Sequence, residues 1–365
     1  MPCRIFCDNG TVSETRILDV ALLPGDGIGP DVIAEAVKVL RAAEARMSGY
    51  KFAFTEYSVG AGEFLKSGDP LPEATFEEIR KHEVILLGAM GLPGIRWPNG
   101  NEMVPQIDLR DKLDTYFGLR PIKLYHPLDS PLRTPGAIDF AIVRENCEGL
   151  FASRKQTFDL NGPEVRDTLL ITRAGSERLF RRSFKLASAR RKKVTLVDKA
   201  NVLPTMSYFR SIFDGVAKEF PDVETDRVYV DAVTLYLLSR PTSYDVLVTE
   251  NMFGDILSDM AAGIVGGMGM APSGDIGDTH AIFQPSHGSA PDIAGKGIAN
   301  PAATILSAAM MLEWYELPET KKAARWIYQA VETLFTDRAN RCPDLGGSLK
   351  TWEMGDKIAS LVARG

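Results

Sequence analysis

Hydrophobic and polar positions alternate with two periods along this chain. A continuous apolar run, ILDVALL (17–23), reads as a buried strand. After the loop LLPGDGIGP (22–30), the segment DVIAEAVKVLRAAEAR (31–46) repeats apolar residues every three or four positions and reads as an amphipathic helix. The same succession recurs. Strand-like runs at VILLGAM (84–90), FAIVREN (140–146), VTLVDKA (194–200) and YDVLVTENMFG (244–254) alternate with helical patterns at EATFEEIRKH (73–82) and around 204–218. Two packed helices, NPAATILSAAMMLEWYEL (300–317) and ETKKAARWIYQAVETLF (319–335), are predicted near the C-terminus, joined by a short polar turn. The alternation predicts an α/β architecture with some parallel sheet.

The first strand, glycine loop and helix are the setting of a dinucleotide-binding fingerprint, but the pattern is incomplete. Gly25, Gly27 and Gly29 are followed by Pro30, where such a turn needs a third small residue for helix packing. Proline at the first helical position starts a helix well, since its missing N–H costs nothing there. These residues alone predict a tight strand-to-helix turn.

A chain of 365 residues is long enough for two domains, or for one with a large insertion. Apolar and charged fractions of 45% and 25% are those of an ordinary globular protein, and a net charge of −6 argues against nucleic-acid or anionic-membrane partners. No apolar run approaches the roughly 20 residues of a membrane span. The segment MPCRIFCDNGTVSETR has no apolar signal core, which predicts a cytoplasmic protein. Cys3, Cys7, Cys147 and Cys342 are too scattered for a disulfide framework or a zinc motif, and four histidines offer little for a metal site or serine triad. The basic stretch RLFRRSFKLASARRKKV (178–194) reads as a solvated helix face.

Chemistry concentrates elsewhere. NMFGDILSDMA (251–261) sets Asp255 and Asp259 four apart, on one face of a helix, where like charges repel unless a cation lies between them. Carboxylates suit Mg²⁺ or Mn²⁺; a solvated helix face is the plain alternative. Asp231, in YVDAV, is read as ending an apolar strand, a place where carboxylates often serve ligands. Arg110, Arg120 and Arg144 lie at element boundaries; either they are surface ion pairs or they converge to grip a carboxylate bidentately, and Arg144 follows a buried-looking run. Lys199 ends a strand, where it can act as a base or pair with an acid. FQPSHGSAPDIAGKGIANP (283–301) is a long loop of small residues, and such loops are usually functional.

LLPGDGIGP, LRDKLDTYFGLRP, VREN, VDKANVL, NMFGDILSDMAAGIVGGMGMAPS, HGSAPDIAGKGIANP and RCPDLGGSLKT occur here in the order found in the isocitrate/isopropylmalate family of metal-dependent decarboxylating dehydrogenases. The chain resembles that family over nearly its whole length after about residue 16. The resemblance implies an isopropylmalate dehydrogenase-like two-domain α/β fold without a Rossmann domain: residues 1–116 with 267–365 form a large domain, and 117–266 a small domain carrying the dimer interface. It also places the GDGIGP loop near the nicotinamide of NAD and the adenosine end on the 287–301 loop, with His287, Gly288, Ser289, Ala290, Asp292, Asn300 and Asn201 as cofactor residues.

By the same resemblance, Asp255 and Asp259 hold Mg²⁺ or Mn²⁺ together with Asp231 from the other subunit of a homodimer. Lys199, also from the partner, is the base and forms the catalytic set with Asp231. Arg110, Arg120 and Arg144 grip the carboxylate that is lost, and Gln106, Ile107 and Val202 line the substrate pocket. An acid at Asp292 would accept hydrogen bonds from an unphosphorylated ribose; NADP users have a lysine and a tyrosine where this chain has Asp292 and Ile293. The implied reaction is NAD-dependent oxidative decarboxylation of an (R)-2-hydroxy acid with a second carboxylate on the adjacent carbon.

Two departures stand out. Phe151 replaces the tyrosine that helps protonate the enolate in the family, so water or another residue such as Tyr125 must serve, or decarboxylation is impaired. The segment MVPQID, with Val104, Gln106 and Ile107, matches neither the serine and asparagine of isocitrate users nor the paired leucines of isopropylmalate users. A 3-isopropylmalate-like, tartrate-like or D-malate-like substrate stays open, as does a catalytically silent ligand-binding paralogue. Gln284 stands where relatives often carry glutamate.

Overall fold

The computed structural model describes residues 15–157, 159 and 161–364, so Cys3 and Cys7 lie outside the described residues. Ten strands among the described residues make one continuous sheet: β1 (Arg16–Gly25), β2 (Tyr50–Glu56), β3 (Val84–Ala89), β4 (Phe117–Lys123), β5 (Asp139–Glu145), β6 (Lys193–Asp198), β7 (Glu224–Tyr229), β8 (Val246–Thr249), β9 (Pro272–Ile276) and β10 (Ala281–Pro285). Their order in space is β2-β1-β3-β10-β9-β4-β5-β8-β6-β7. Parallel pairing holds within β2-β1-β3-β10 on one side and within β5-β8-β6-β7 on the other. Antiparallel contacts β10–β9, β9–β4 and β4–β5 join the two halves. The fold is α/β, as expected, and this antiparallel join distinguishes it from the uniformly parallel order of a Rossmann sheet.

The glycine loop after β1 shows why the fingerprint was incomplete. Gly25 and Gly27 both adopt positive φ, and a Cβ on Gly27 would sit 1.9 Å from the Ser289 carbonyl oxygen. The Ile28 N–H donates to that same carbonyl at 2.8 Å. Asp26, buried in the turn, accepts from the backbone N–H groups of Ala61, Gly62 and Gly91, each at 2.8 Å. Other segments of the chain thus fill the space where a pyrophosphate would lie in a Rossmann turn. Helix Gly29–Arg46 then starts with Pro30 in its first turn, as predicted.

Most predicted elements appear close to their expected bounds, including the final helix pair Ala302–Trp314 and Pro318–Thr336. Three local expectations are corrected. The run 244–254 is strand only over Val246–Thr249, because Glu250 caps a helix that begins at Asn251. Asp231 does not end a strand; it lies in the first turn of helix Val230–Ser239, where an acid favours the helix dipole. The basic stretch from residue 178 leaves helix Arg173–Ser188 after Ser188, and several of its arginines are paired: Arg178 with Asp114, Arg181 with Glu177 and Glu219, and Arg190 with Asp139 and Asp245.

Side-chain alternation gives the join two distinct faces. Leu119, Pro121, Lys123 and Tyr125 face a cavity of about 770 Å³, together with Ile276 and Phe283. Arg120 has the opposite parity on β4. Tyr125 therefore lies on the reverse side of the sheet from Arg120, where it packs against Phe335 with ring centroids 5.8 Å apart. This removes Tyr125 as a proton donor beside the arginines.

A buried ion pair ties the C-terminal segment to the middle of the chain. Arg341 and Asp129, with side chains 1% and 3% exposed, meet at 2.9 Å, and Arg341 also donates to the carbonyls of Phe335 and Asp337. Removing one partner of such a pair strands the other charge at a cost of about 3–5 kcal/mol. Asp129→Ala is expected to lower unfolding stability by that amount in denaturant titration. A loss below about 1 kcal/mol, the scale of a surface pair, would refute the assignment.

Candidate active site

On the face opposite that cavity, three arginines converge from three elements. Arg110 comes from helix Pro105–Lys112, Arg120 from β4 and Arg144 from β5, and all are buried. Arg144 continues the parity of Phe140 and Ile142, which pack under helix Asn251–Ile264. A Cβ on Gly254 of that helix would come within 2.7 Å of the Arg144 side chain, so only glycine permits this approach. Burial and the charges of Arg110 and Arg120 pull Arg144 down to about 10, still protonated at neutral pH.

Each guanidinium has a distinct anchor. Arg110 donates from Nε to Asp275 at 2.8 Å. Arg120 donates to Ser286 Oγ at 2.6 Å, while its Nε is buried without a partner. Arg144 donates from Nε and one terminal nitrogen to Asn251 Oδ1, at 2.9 and 2.7 Å, and from the other to Asp255. The guanidinium of Arg144 also lies 5.1 Å from the centroid of the Phe151 ring, which takes the place of a phenol.

Helix Asn251–Ile264 thus carries more than its two acids. Glu250 accepts from the N–H groups of Phe253 and Met252, at 2.6 and 3.1 Å, satisfying two of the donors a helix N-terminus leaves open. Asp259 reaches the chain surface one turn beyond Asp255. Crowding by the surrounding protein and the Asp255 charge together raise its carboxyl above the usual range. This is the electrostatic tension a cation would relieve.

Lys199 and Asp231 form a separate pair. Lys199 follows β6 directly, and its Nζ donates to Asp231 Oδ1 at 2.7 Å, so the salt-bridge reading of Lys199 holds within one chain. The ammonium keeps the exposed Asp231 carboxyl below the usual carboxylate range. Among the described residues of a single chain, no three His, Cys, Asp or Glu side chains gather closely enough to hold a metal ion. Val202 and Asn201 beside Lys199 are exposed. Asp231, Leu235 and Leu238 share one face of helix Val230–Ser239, and both leucines are exposed, as is Ile256 on the neighbouring helix.

The loop after β10 is irregular from Ser286 to Pro301. Ser289 donates its hydroxyl to the Gly91 carbonyl and accepts Ile28 N–H at its own carbonyl, and Ala290 holds a positive φ of 36°. A strained residue without glycine's freedom persists only where its surroundings over-determine it, and such residues cluster at ligand sites. Burial lowers the His287 pKa, so the ring is neutral, and its Nε2 is buried without a partner. Gly288 and Asp292 are exposed. The Asn300 side chain is committed internally, donating to Asp344 and accepting from Ala302 N–H, each at 3.0 Å.

A second cavity, of about 700 Å³, is lined by Val104, Ile107 and Phe151, whose ring lies against Arg144, and by polar residues that include Asn101, Asp108 and Arg154. Gln106 sits one helical turn before Arg110, with its Oε1 buried and unpartnered. Sequence reasoning missed Asn146, Glu250, Asn251, Asp275 and Ser286. Of these, Glu250 and Asn251 carried a readable signal, an acid directly before a helical run and an amide at its start.

Comparison with known proteins agrees with this geometry. The isocitrate/isopropylmalate dehydrogenase family model matches residues 19–358. The 3-isopropylmalate dehydrogenase of Corynebacterium glutamicum (strain ATCC 13032) is 43% identical over 351 residues, covering 94% of this chain and 99% of that one. That of Leifsonia xyli subsp. xyli is 43% identical over 359 residues, 96% and 99% of the two chains. Among solved structures, an isocitrate dehydrogenase from Methylococcus capsulatus superposes with a TM-score of 0.85 at 39% identity, covering 95% of this chain and 99% of that one. A beta-decarboxylating dehydrogenase from Thermococcus kodakarensis, in apo form, gives 0.77 at 38% identity, covering 94% and 96%. The chain is therefore a member of the isocitrate/isopropylmalate dehydrogenase family of decarboxylating oxidoreductases.

Proposed function

We propose that this chain forms a homodimer that oxidises and decarboxylates a 3-substituted malate with NAD and Mg²⁺ or Mn²⁺. The carrying observation is the convergence of three buried arginines beside the Asp255–Asp259 pair, with Lys199 and Asp231 held apart on the exposed face of the same chain. One chain holds two halves of a site that do not meet. Joining two copies through the apolar face of Leu235, Leu238 and Ile256 would bury that face and bring each copy's Asp231 and Lys199 to the other's acids. In the same reading, residues 1–116 with 267–365 and residues 117–266 are the two domains that flank the cleft.

The residues divide the work. Arg110, Arg120 and Arg144 bind the carboxylate that is lost, using guanidinium edges not spent on Asp275, Ser286, Asn251 and Asp255. Asp255 and Asp259, with the second copy's Asp231, would hold the divalent cation, which supplies Lewis acidity toward the substrate hydroxyl and its developing negative charge. Lys199 removes the hydroxyl proton as the hydride departs. NAD would supply the hydride acceptor. His287, Gly288, Ser289, Ala290 and Asp292, with Asn201 of the second copy, are assigned to it, and Asn300 shapes their loop.

Phe151 cannot donate a proton, and Tyr125 is on the wrong face, so proton return to the enolate falls to water. Val104, Ile107 and Phe151 give an otherwise polar-lined cavity an apolar wall that suits an apolar substituent, which favours a 3-isopropylmalate-like substrate. The buried, unpartnered Gln106 oxygen favours a hydroxyl-bearing, tartrate-like substituent as the second reading. Retention of the complete charged constellation weighs against a silent paralogue.

A panel of malate derivatives with NAD and Mn²⁺ tests the reaction. NADH and CO₂ are expected in equal amounts, with activity lost on chelation and regained with Mn²⁺; full activity after exhaustive chelation would overturn the metal reading. An NADH excess over CO₂ would mean that Phe151 impairs decarboxylation.

Lys199→Met should lower kcat by about 10²–10⁴-fold, the usual contribution of a general base. Mixing it with the inactive Asp255→Asn protein should restore activity, because each hybrid dimer contains one intact site. Hybrids with no more activity than their parents would show that sites are not shared.

Asp292→Lys combined with Ile293→Tyr should shift preference from NAD toward NADP in steady-state kinetics. Wild-type preference for NADP would refute the assignment of Asp292.

A further inference from the structure

Asp275 is 0% exposed and lies on β9 at the centre of the join, opposite Gly118 of β4 and Ile282 of β10. Its Oδ2 accepts from Arg110 Nε at 2.8 Å and from Gln284 Nε2 at 2.5 Å; its Oδ1 accepts from Asn146 Nδ2 at 2.8 Å. The lane is kept open by Gly118, since a Cβ there would meet the Asn146 amide at 2.6 Å. Burial alone would push this carboxyl up, but Arg110, Arg120 and the Asn146 amide outweigh it and hold the pKa below the usual range. A buried carboxylate with three donors around it is a built counter-ion site.

We propose that Asp275 is the positioning residue of the substrate clamp: with Gln284 it holds one negative charge that aims Arg110 at the substrate. The inference rests on the reading of Arg110 as a substrate ligand. Because Nε is engaged by Asp275, Arg110 is left with its two terminal nitrogens to present to a substrate carboxylate, in a fixed plane. Gln284 acts as an amide here: its N–H completes the carboxylate's shell, whereas a second carboxylate at 2.5 Å would repel the first. The charge, rather than its address, is what Arg110 needs, so a carboxylate at either 275 or 284 serves, provided the other position is an amide.

Three variants test this, each checked for folding by thermal melting. Asp275→Asn places an NH₂ group among three donors, loosens Arg110, and should raise KM for the hydroxy diacid by about 10–100-fold, the range of a hydrogen bond to a charged group. Its kcat should change much less. Asp275→Asn combined with Gln284→Glu moves the carboxylate to the neighbouring strand and should return KM to within about threefold of wild type. An unchanged KM in the single variant, or a double variant no better than the single, overturns the proposal. If the single variant does not fold, the double decides: a folded protein with near wild-type KM supports it, and an unfolded one overturns it. Arg110→Gln separates the two levels: a raised KM there beside an unaltered Asp275→Asn sinks only the positioning role, while unaltered KM in both sinks the clamp itself.

Discussion

Burying positive charge is the constraint on which the rest of this molecule depends. A guanidinium taken from water into a protein interior is costly unless its donors are matched, and this chain buries three within mutual electrostatic reach. The surrounding architecture reads as the answer. The antiparallel join brings Arg120 and Arg144 onto one face and sets Asp275 beside them. Helix Asn251–Ile264 approaches β5 across a glycine so that Asn251 and Asp255 can reach Arg144. Ser286, at the start of the long loop, meets Arg120 and so couples the expected cofactor segment to the clamp.

The same constraint bears on the proposed division of the site between two chains. Anchoring Arg144 engages Asp255, yet Asp259, one turn away, forms no ion pair among the described residues, and burial and the Asp255 charge outweigh the more distant Arg120 and Arg144. Lys199 and Asp231 solve the complementary problem by pairing with each other. Each half is tolerable alone because it is either balanced or open to water, and neither half is a complete site. In the proposed dimer the exposed leucines beside Asp231 would supply the hydrophobic driving force that a charge-lined surface lacks.

Much of the fold was legible because its strands are buried on both faces and read as unbroken apolar runs, as in β3 and β8, while the long helices keep their 3.6-residue period. The errors fell where local pattern and tertiary context part. YDVLVTENMFG stays apolar across a strand-to-helix boundary, so periodicity alone could not place the break at Glu250. Asp231 follows the apolar end, Val228 and Tyr229, of an edge strand, and nothing local says that the helix begins one residue earlier. Arg144 was suspect as a surface residue because it follows FAIV, and it is indeed buried. Asp275 was not legible, since its partners lie 165, 129 and 9 residues away in sequence and only the sheet register brings them together.

The loop at residues 22–30 shows how a pattern can be half right for a physical reason. Its glycines are required, since two adopt positive φ and a side chain on Gly27 would collide with the Ser289 carbonyl. A dinucleotide turn uses that freedom to let phosphate approach backbone N–H groups, but here the loop's own donors go to backbone carbonyls, Asp26 to Ala89, Ile28 to Ser289 and Gly29 to Asp26. An anion would therefore displace bonds already made. The loop's contribution is to fix Ser289, and with it the strained turn at Ala290, relative to β1 and β3. Precision in the 286–301 loop thus originates in a motif that resembles a nucleotide site and whose Ile28 N–H is engaged by the Ser289 carbonyl.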